Sequence, residues 1–423
     1  MDGNEISLHN EKRRKLYEKI ANFWFDLDGE PYALYDLHYF TEKEVKDIHL
    51  ATKRAGTVYF KTAQLLREVD DETLLQLGIP KEALFFVREK TMRIESVISR
   101  LDFVKTEDGL KVLEANTDTP TFIMECNRVN SAAAAHFHAI NPNEGMEERL
   151  GRAVRNVVFE AYHRLEKKEF PSIVFTAHRT HTEDWHTITY LQEISGLPAK
   201  CLGLDQLRIV SGDGLYDEEG NRIDVLYRQT YPIEYLIYDR DEATGEQVGL
   251  ELMKLVSERK LGIVNPPSAF LLQTKAVQAV IWGLYEERHP FFTEEEHHWI
   301  ETYFLPTYLE EDVFLENKQP YVKKPCFGRE GGSITLYNEE GKFLEKNQPT
   351  LYDEFLAVYQ QCVELPKKIV SMPTGEKEVH LLIGSFLING EPGAIGVRAG
   401  NKITGNESCF LPIGLKKDYE RER

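Results

Sequence analysis

Residues 98 to 121, ISRLDFVKTEDGLKVLEANTDTPT, read as two short extended segments joined by a Glu-Asp-Gly turn. An extended chain repeats every two residues, so Arg100 and Asp102 share a face of the first segment, and Glu114 and Asn116 share a face of the second. If the two segments are strands, four polar groups converge.

The rest of the chain is organised around this hairpin. From about Glu11 to Leu77 the pattern is mostly helical, with Thr41 as an N-cap and Glu44 three residues on. Aromatics there, Trp24, Phe25, Tyr32 and Tyr35, serve either core packing or a substrate entrance. After the hairpin, a helical stretch from about Met146 to Leu165 leads to PSIVFTAH, a buried strand, and then to RTHTEDWHTITYLQEISG, which has helical spacing. Strand and helix in this order predict a three-layer α/β unit. NRIDVLYRQTYPIEYLI supplies another strand and a polar, aromatic turn, and two helical windows follow at 245–260 and 273–287. The remainder is short extended runs between turns, among them KKIVSM, EVHLLIGSFLIN and GAIGVRAG.

YVKKPCFGREGGSITLYN, from Tyr321, is a strand, a glycine-rich turn and a strand. Its glycines allow close backbone approach, and Lys323, Lys324 and Arg329 can neutralise a polyphosphate. The same run also fits an ordinary hairpin with surface charges. It is not the GxxxxGK[ST] phosphate loop, because the lysines precede the glycines. Near the end, Arg398 follows a glycine-containing strand; its guanidinium can hold a phosphoryl group or a carboxylate bidentately, or form a salt bridge that supports the fold.

Composition narrows the partners. The 423 residues suffice for two or three substructures. With 51 basic against 70 acidic residues the formal charge is -19, which argues against a nucleic-acid backbone or an anionic membrane as the partner. The five cysteines are scattered, without zinc-knuckle or disulfide spacing, and no segment is long and apolar enough for a signal peptide or membrane span. A reducing, cytoplasmic location is the expectation. Cys126, Cys326 and Cys409 fit small buried side chains better than nucleophiles, and His178, His181 and His186 fit polar packing better than a zinc site.

Taken together, RLDF, VLEANTDTPT, THTEDWHTITYL, YVKKPCFGREG and GSFLINGEPGAIGVR resemble the synthetase domain of glutathionylspermidine synthase along nearly the whole chain. The resemblance implies an α/β (α+β) ATP-grasp-like fold with a pre-ATP-grasp α/β region. It divides the chain into a helical scaffold at 1–95, a substrate and metal region at 96–260, and a nucleotide-binding region at 261–423 whose last strands return to the active site. It implies a ligase in which ATP activates the glycine carboxylate of glutathione as an acyl phosphate, attacked by an amine of spermidine.

Residue by residue, the resemblance assigns Lys275 and Lys324 to ATP, with Gly328, Arg329, Gly331 and Gly332 in the phosphate-covering loop. Asp102, Glu114 and Asn116 would take Mg2+, for which carboxylate and amide oxygens are suitable hard ligands. Arg100 would contact the nucleotide and, with Arg398, stabilise the transferring phosphoryl group. Thr119 and Thr121 stand where the family often has serines. Each keeps a hydroxyl for a peptide carboxylate and narrows the pocket by a methyl. Glu183 and Asp184 would face the amine, or cap the following helix, and Thr230 and Glu234 are pocket candidates. The family's bifunctional members carry a separate amidase unit. The chain starts in the synthetase-like region, so amide hydrolysis is not expected. Oligomeric state and the identities of the acid and amine stay open, and a non-catalytic, nucleotide-responsive binding protein with the same pocket is the alternative.

Overall fold

The computed structural model describes residues 3–230, 233–328, 331–347, 354–405 and 407–416. In chain order the principal elements begin with α1 (Gly3–Tyr17), α2 (Glu42–Glu68), β1 (Ile98–Thr106) and β2 (Gly109–Asn116). Next come α3 (Met146–His163), β3 (Ile173–Ala177), α4 (Thr182–Ser195), β4 (Lys200–Gly203), β5 (Val225–Gln229), β6 (Gly262–Val264) and α5 (Ala276–Glu286). The second half supplies β7 (Thr307–Tyr308), β8 (Tyr321–Pro325), β9 (Thr335–Tyr337), β10 (Phe343–Lys346) and β11 (Ala357–Gln361). It ends with β12 (Lys367–Met372), β13 (Gly375–Ile388), β14 (Glu391–Gly400) and β15 (Cys409–Leu411).

Three sheets carry the architecture. The largest, of six strands, is antiparallel and runs β15-β14-β13-β1-β2, with β12 on the far end of the long strand β13. A four-stranded parallel sheet runs β6-β5-β3-β4. A five-stranded antiparallel sheet runs β7-β11-β8-β9-β10. The parallel sheet is covered on both faces, which is why β3 is buried along its whole length rather than at alternate residues. Ile173, Phe175 and Ala177 pack into one core with Val154 and Val158 of α3 and Ile188 of α4. Val174 faces the other core, with Leu226, Leu252 and Met253. This is the three-layer unit expected from strand and helix order.

Helix α2 begins as the sequence predicts: the Thr41 hydroxyl accepts from the Glu44 N–H at 3.1 Å, and the Glu44 carboxylate accepts from the Thr41 N–H at 2.8 Å. Its buried face lies on the largest sheet, and an added Cβ at Gly56 would come 2.5 Å from Leu387. The stretch from Glu11 to Leu77 is mostly helical, as its pattern predicts, with a non-helical break between α1 and α2. Residues 18–41 form turns and three short strands, Asp26–Leu27, Glu30–Pro31 and His38–Phe40. The chain there reverses through positive φ at Asn22, Asp28 and Gly29, which no helix accommodates. Buried Arg13 holds the irregular path by donating from Nε to the Ala33 carbonyl at 2.6 Å and by pairing with Asp26. Among the described residues no helix is long and apolar enough to cross a membrane.

Between β2 and the next helix, residues 117–121 are fixed by buried side chains of the parallel-sheet unit. Gln273 Oε1 accepts from the N–H of Thr117 at 3.0 Å and of Asp118 at 3.2 Å, while Asn265 Nδ2 donates to the Asp118 carbonyl at 2.6 Å. The Asp118 carboxylate pairs with Arg228, both fully buried. Removing one member of such a pair leaves an uncompensated charge inside the protein. Asp118→Ala should therefore lower the unfolding free energy by about 3–5 kcal/mol, measured as a fall in the urea midpoint.

Candidate active site

The hairpin register does what the alternation suggested. Arg100 pairs across from Asn116 and Asp102 from Glu114, and a bulge after Asp102 absorbs Leu113, so that Phe103 faces Val112. All four polar side chains line one cleft between the sheets, with about 1280 Å³ of empty space when its open mouth is included.

These groups neutralise one another. Arg100 Nε donates to Asp102 Oδ1 at 2.7 Å and Nη2 to Oδ2 at 2.9 Å, a bidentate pair, while Nη1 donates to the Thr121 carbonyl at 3.1 Å. Asn116 Nδ2 lies 3.4 Å from Asp102 Oδ2 and 3.5 Å from Glu114 Oε1. Glu114 Oε2 is 3.4 Å from Lys275 Nζ, which also donates to the Gly328 carbonyl at 3.0 Å. Lys275 is thus a strut between the hairpin and the start of the glycine-rich loop. Lys324 Nζ donates to Gln360 Oε1 at 2.6 Å and to the Leu113 carbonyl at 3.2 Å.

Burial works against ionising Glu114, but Lys275, Lys324 and Arg100 outweigh it and hold the carboxyl down to about 2. Burial pushes Lys324 down to about 8, against the pull of Glu114 in the other direction. Burial also opposes the charge on Arg100, yet Asp102 raises its pKa further above the ordinary arginine value.

Arg398 enters the cleft from β14 and forms no ion pair among the described residues. Gly331 lines the wall with φ 63°, and a Cβ there would sit 2.4 Å from the Thr404 carbonyl, so the glycine is needed for both its conformation and its closeness. Gly328 and Gly332 belong to the same loop without lining the cleft, and Arg329 lies outside the described residues. Thr119, Thr121 and Glu183 line it together with His181 and Tyr32. Asp184 does not. It is buried behind the wall, with Oδ2 3.2 Å from His181 Nδ1 and Oδ1 accepting from Gln229 at 3.4 Å. His181, rather than Glu183 or Asp184, caps α4 by accepting from the Asp184 N–H. Thr230 is also behind the wall, where its carbonyl accepts from Thr119 at 3.5 Å, and Glu234 is fully buried outside the cleft lining.

Sequence reasoning did not single out the apolar wall, Leu113, Val322, Leu336 and Leu382 with Val363 and Leu365, or Gln360, Cys362 and Lys402. The usable signal was alternation in AVYQQ, which puts Val358 and Gln360 on the inward face of β11. The cleft brings two carboxylates and an amide together on adjacent strands, donor types suited to Mg2+, with Asn116 Nδ2 turned toward both carboxylates and with Arg100 and Lys275 beside them. Among the described residues no group of three His, Cys, Asp or Glu forms a metal cluster.

A mixed α/β chain with these sheets has the ATP-grasp-like, pre-ATP-grasp architecture. The family model "Glutathionylspermidine synthase preATP-grasp" matches residues 4–416, and the chain belongs to that family. Membership points to ATP-grasp-like ligase activity as the family's chemistry. Over 429 residues the chain is 26% identical to a putative acid–amine ligase of Haemophilus influenzae, covering 95% of this chain and 96% of that protein. It is 24% identical over 426 residues to the bifunctional glutathionylspermidine synthetase/amidase of Escherichia coli, covering 95% of this chain and 62% of that protein. Among solved structures, a glutathione synthetase-like effector from Globodera pallida in its apo form shares the fold, with a TM-score of 0.59, 15% identity and 98% coverage of both chains.

Because Glu114 supports the charge on Lys324, Glu114→Gln should move the Lys324 midpoint below its value of about 8. Lysine 15N NMR across pH 6 to 10 measures it, and an unmoved midpoint would mean that other groups keep this ammonium charged.

Proposed function

We propose that this protein is an ATP-dependent carboxylate–amine ligase, joining a peptide-like acid to an amine or polyamine through an acyl phosphate. The observation that carries the reading is the pairing of two hard-oxygen carboxylates with an excess of fixed cations in a cleft that also has an apolar wall. Phosphoryl transfer needs positioning and charge stabilisation more than covalent chemistry from the protein. In this assignment Lys275, Lys324 and the backbone of the glycine-rich loop hold the triphosphate, with the apolar wall beside the base. Arg100 and Arg398 stabilise charge on the acid and the transferring phosphoryl group. Asp102, Glu114 and Asn116 would hold Mg2+, which would supply positive charge to offset that of the phosphates. Thr119 and Thr121 offer hydroxyls to the acid, and Glu183 offers an anion to the amine. The regions 1–95, 96–260 and 261–423 are proposed as scaffold, substrate and metal region, and nucleotide region respectively.

The test is ADP release with ATP and Mg2+ across a matrix of peptide acids, glutathione among them, and polyamines, with mass detection of products. ADP accompanied by a condensed amide is expected, and Lys324→Ala should lower both by about 100-fold or more. ATP binding without ADP release anywhere in the matrix would favour the non-catalytic nucleotide-binding protein instead.

A further inference from the structure

One buried acid near the cleft has no part in the assignments above. Glu125 opens a single π-helical turn, Glu125–Val129, a backbone irregularity that recurs at functional sites. Its side chain is fully buried. Oε1 accepts a 2.5 Å hydrogen bond from the hydroxyl of Tyr32, and Oε2 has no hydrogen-bond partner among the described residues. Tyr32 itself lines the cleft beside Thr121, His181 and Glu183. Its ring is held by stacking on Trp24, with centroids 6.4 Å apart at 19°, and Trp24 stacks in turn on His186 at 5.4 Å. An anion or acid buried with one oxygen unpartnered is costly, so a purely structural need would be met more cheaply by an apolar side chain.

An alkyl amine reaches any enzyme at neutral pH as an ammonium, which has no lone pair with which to attack. We propose that Tyr32 and Glu125 form a proton relay that frees the incoming amine, an inference that rests on the ligase reading. The ammonium gives one proton to Tyr32 Oη while the phenolic proton passes to Glu125 Oε1. An N–H bond and the old O–H bond break, two O–H bonds form, the phenol is regenerated, the carboxylate becomes a neutral acid, and the amine gains its lone pair. The second proton lost on amide formation leaves with the departing phosphate, and Glu125 returns its own to solvent between turnovers.

The surroundings suit a proton acceptor that works at neutral pH. Burial pushes Glu125 up to about 7 and Glu183 adds to this, while the Tyr32 hydrogen bond and Arg398 pull the other way. Buried Cys126, the next residue, has its thiol pushed well above its usual range, so it stays neutral beside the acid. Tyr32, raised likewise by burial and by Glu125 and Glu183, passes a proton without ever becoming a phenolate.

The experiment compares two nucleophiles on the activated acid, spermidine and methoxyamine, the second of which is uncharged throughout the neutral range. The acids are the same peptide panel, and amide and methoxyamide are read by mass from pH 5.5 to 9. With wild type, the spermidine rate should rise and level off near pH 7, whereas the methoxyamine rate should lack that step. In Tyr32→Phe and Glu125→Gln the spermidine rate at pH 7 should fall by at least about tenfold and keep climbing to about pH 9, following the free-base amine. Methoxyamide formation should change by less than about threefold, since that nucleophile needs no base. Equal loss with both nucleophiles, no loss with either, or a wild-type spermidine profile that fails to level off would each overturn the relay. Wild type that forms neither product with any acid would overturn the ligase reading and the relay with it.

Discussion

The cleft exists because its charges are balanced before anything binds. Two carboxylates on the inner face of a hairpin would be costly to keep ionised if unpaired, and they would otherwise protonate or distort the strands. Arg100 takes both oxygens of Asp102, and Lys275 approaches Glu114 while also holding the Gly328 carbonyl. Each carboxylate is thereby tied to a cation, and the two ties run in different directions. One lies within β1. The other crosses from the hairpin to the segment before α5 and on to the glycine-rich loop. The same interactions that keep Glu114 ionised therefore fix the relative positions of the largest sheet and the five-stranded sheet, with Lys324 and the Leu113 carbonyl adding a second link.

A second set of buried polar groups fixes the other wall. Asn265, Gln273, Arg228 and Gln229 all come from the parallel-sheet unit, and all bond to residues 117–120. Gln229 is central: its amide reaches the carbonyls of Thr119 at 3.0 Å and Pro120 at 3.2 Å and, on the other side, Asp184 at 3.4 Å. Asp184 touches His181, and His181 caps α4. The threonine loop and the first turn of α4 are consequently parts of one hydrogen-bonded unit, although more than sixty residues separate them in sequence. This explains why Asp184 and Thr230 lie behind the wall while their neighbours Glu183 and Thr119 face the cleft. Buried polar side chains of this kind must be satisfied, and here the partners that satisfy them are the backbone of the site.

What could be read from the sequence was local. Period-two alternation located Arg100, Asp102, Glu114 and Asn116, and the paired register is what their spacing required. The Thr41 and Glu44 capping box, the buried strand at Ile173 and the strand-turn-strand around Gly328 follow from short-range chemistry in the same way. Long-range features were not legible. Nothing near Lys275 indicates that its partner would be Glu114, 161 positions earlier. Alternation puts Gln360 on the inward face of β11, but its partner Lys324 is supplied only by β8 beside it. Residues 18–41 interrupt the otherwise mostly helical stretch because the aromatics there follow no helical period but a path set by Arg13 and by the chain's far end.

The chain's far end places Tyr32. The Phe410 N–H donates to the Tyr32 carbonyl at 2.8 Å, and the Leu34 N–H donates to the Phe410 carbonyl at 2.9 Å. Residues 32–34 thus bond to β15, which pairs with β14, the strand that carries Arg398. The Tyr17 hydroxyl donates to the Leu34 carbonyl at 2.6 Å, so α1 is tied into the same seam. A strand added late in the chain holds a segment from its beginning against the cleft, and the side chains delivered this way, Tyr32 and Arg398, come to act on the same buried carboxyl in the same direction: hydroxyl and guanidinium both favour the ionised form of Glu125, against burial and Glu183. The protonation state of that carboxyl is therefore a property of the assembled sheet. No window of the sequence contains it, and loosening β15 would alter it without touching either residue.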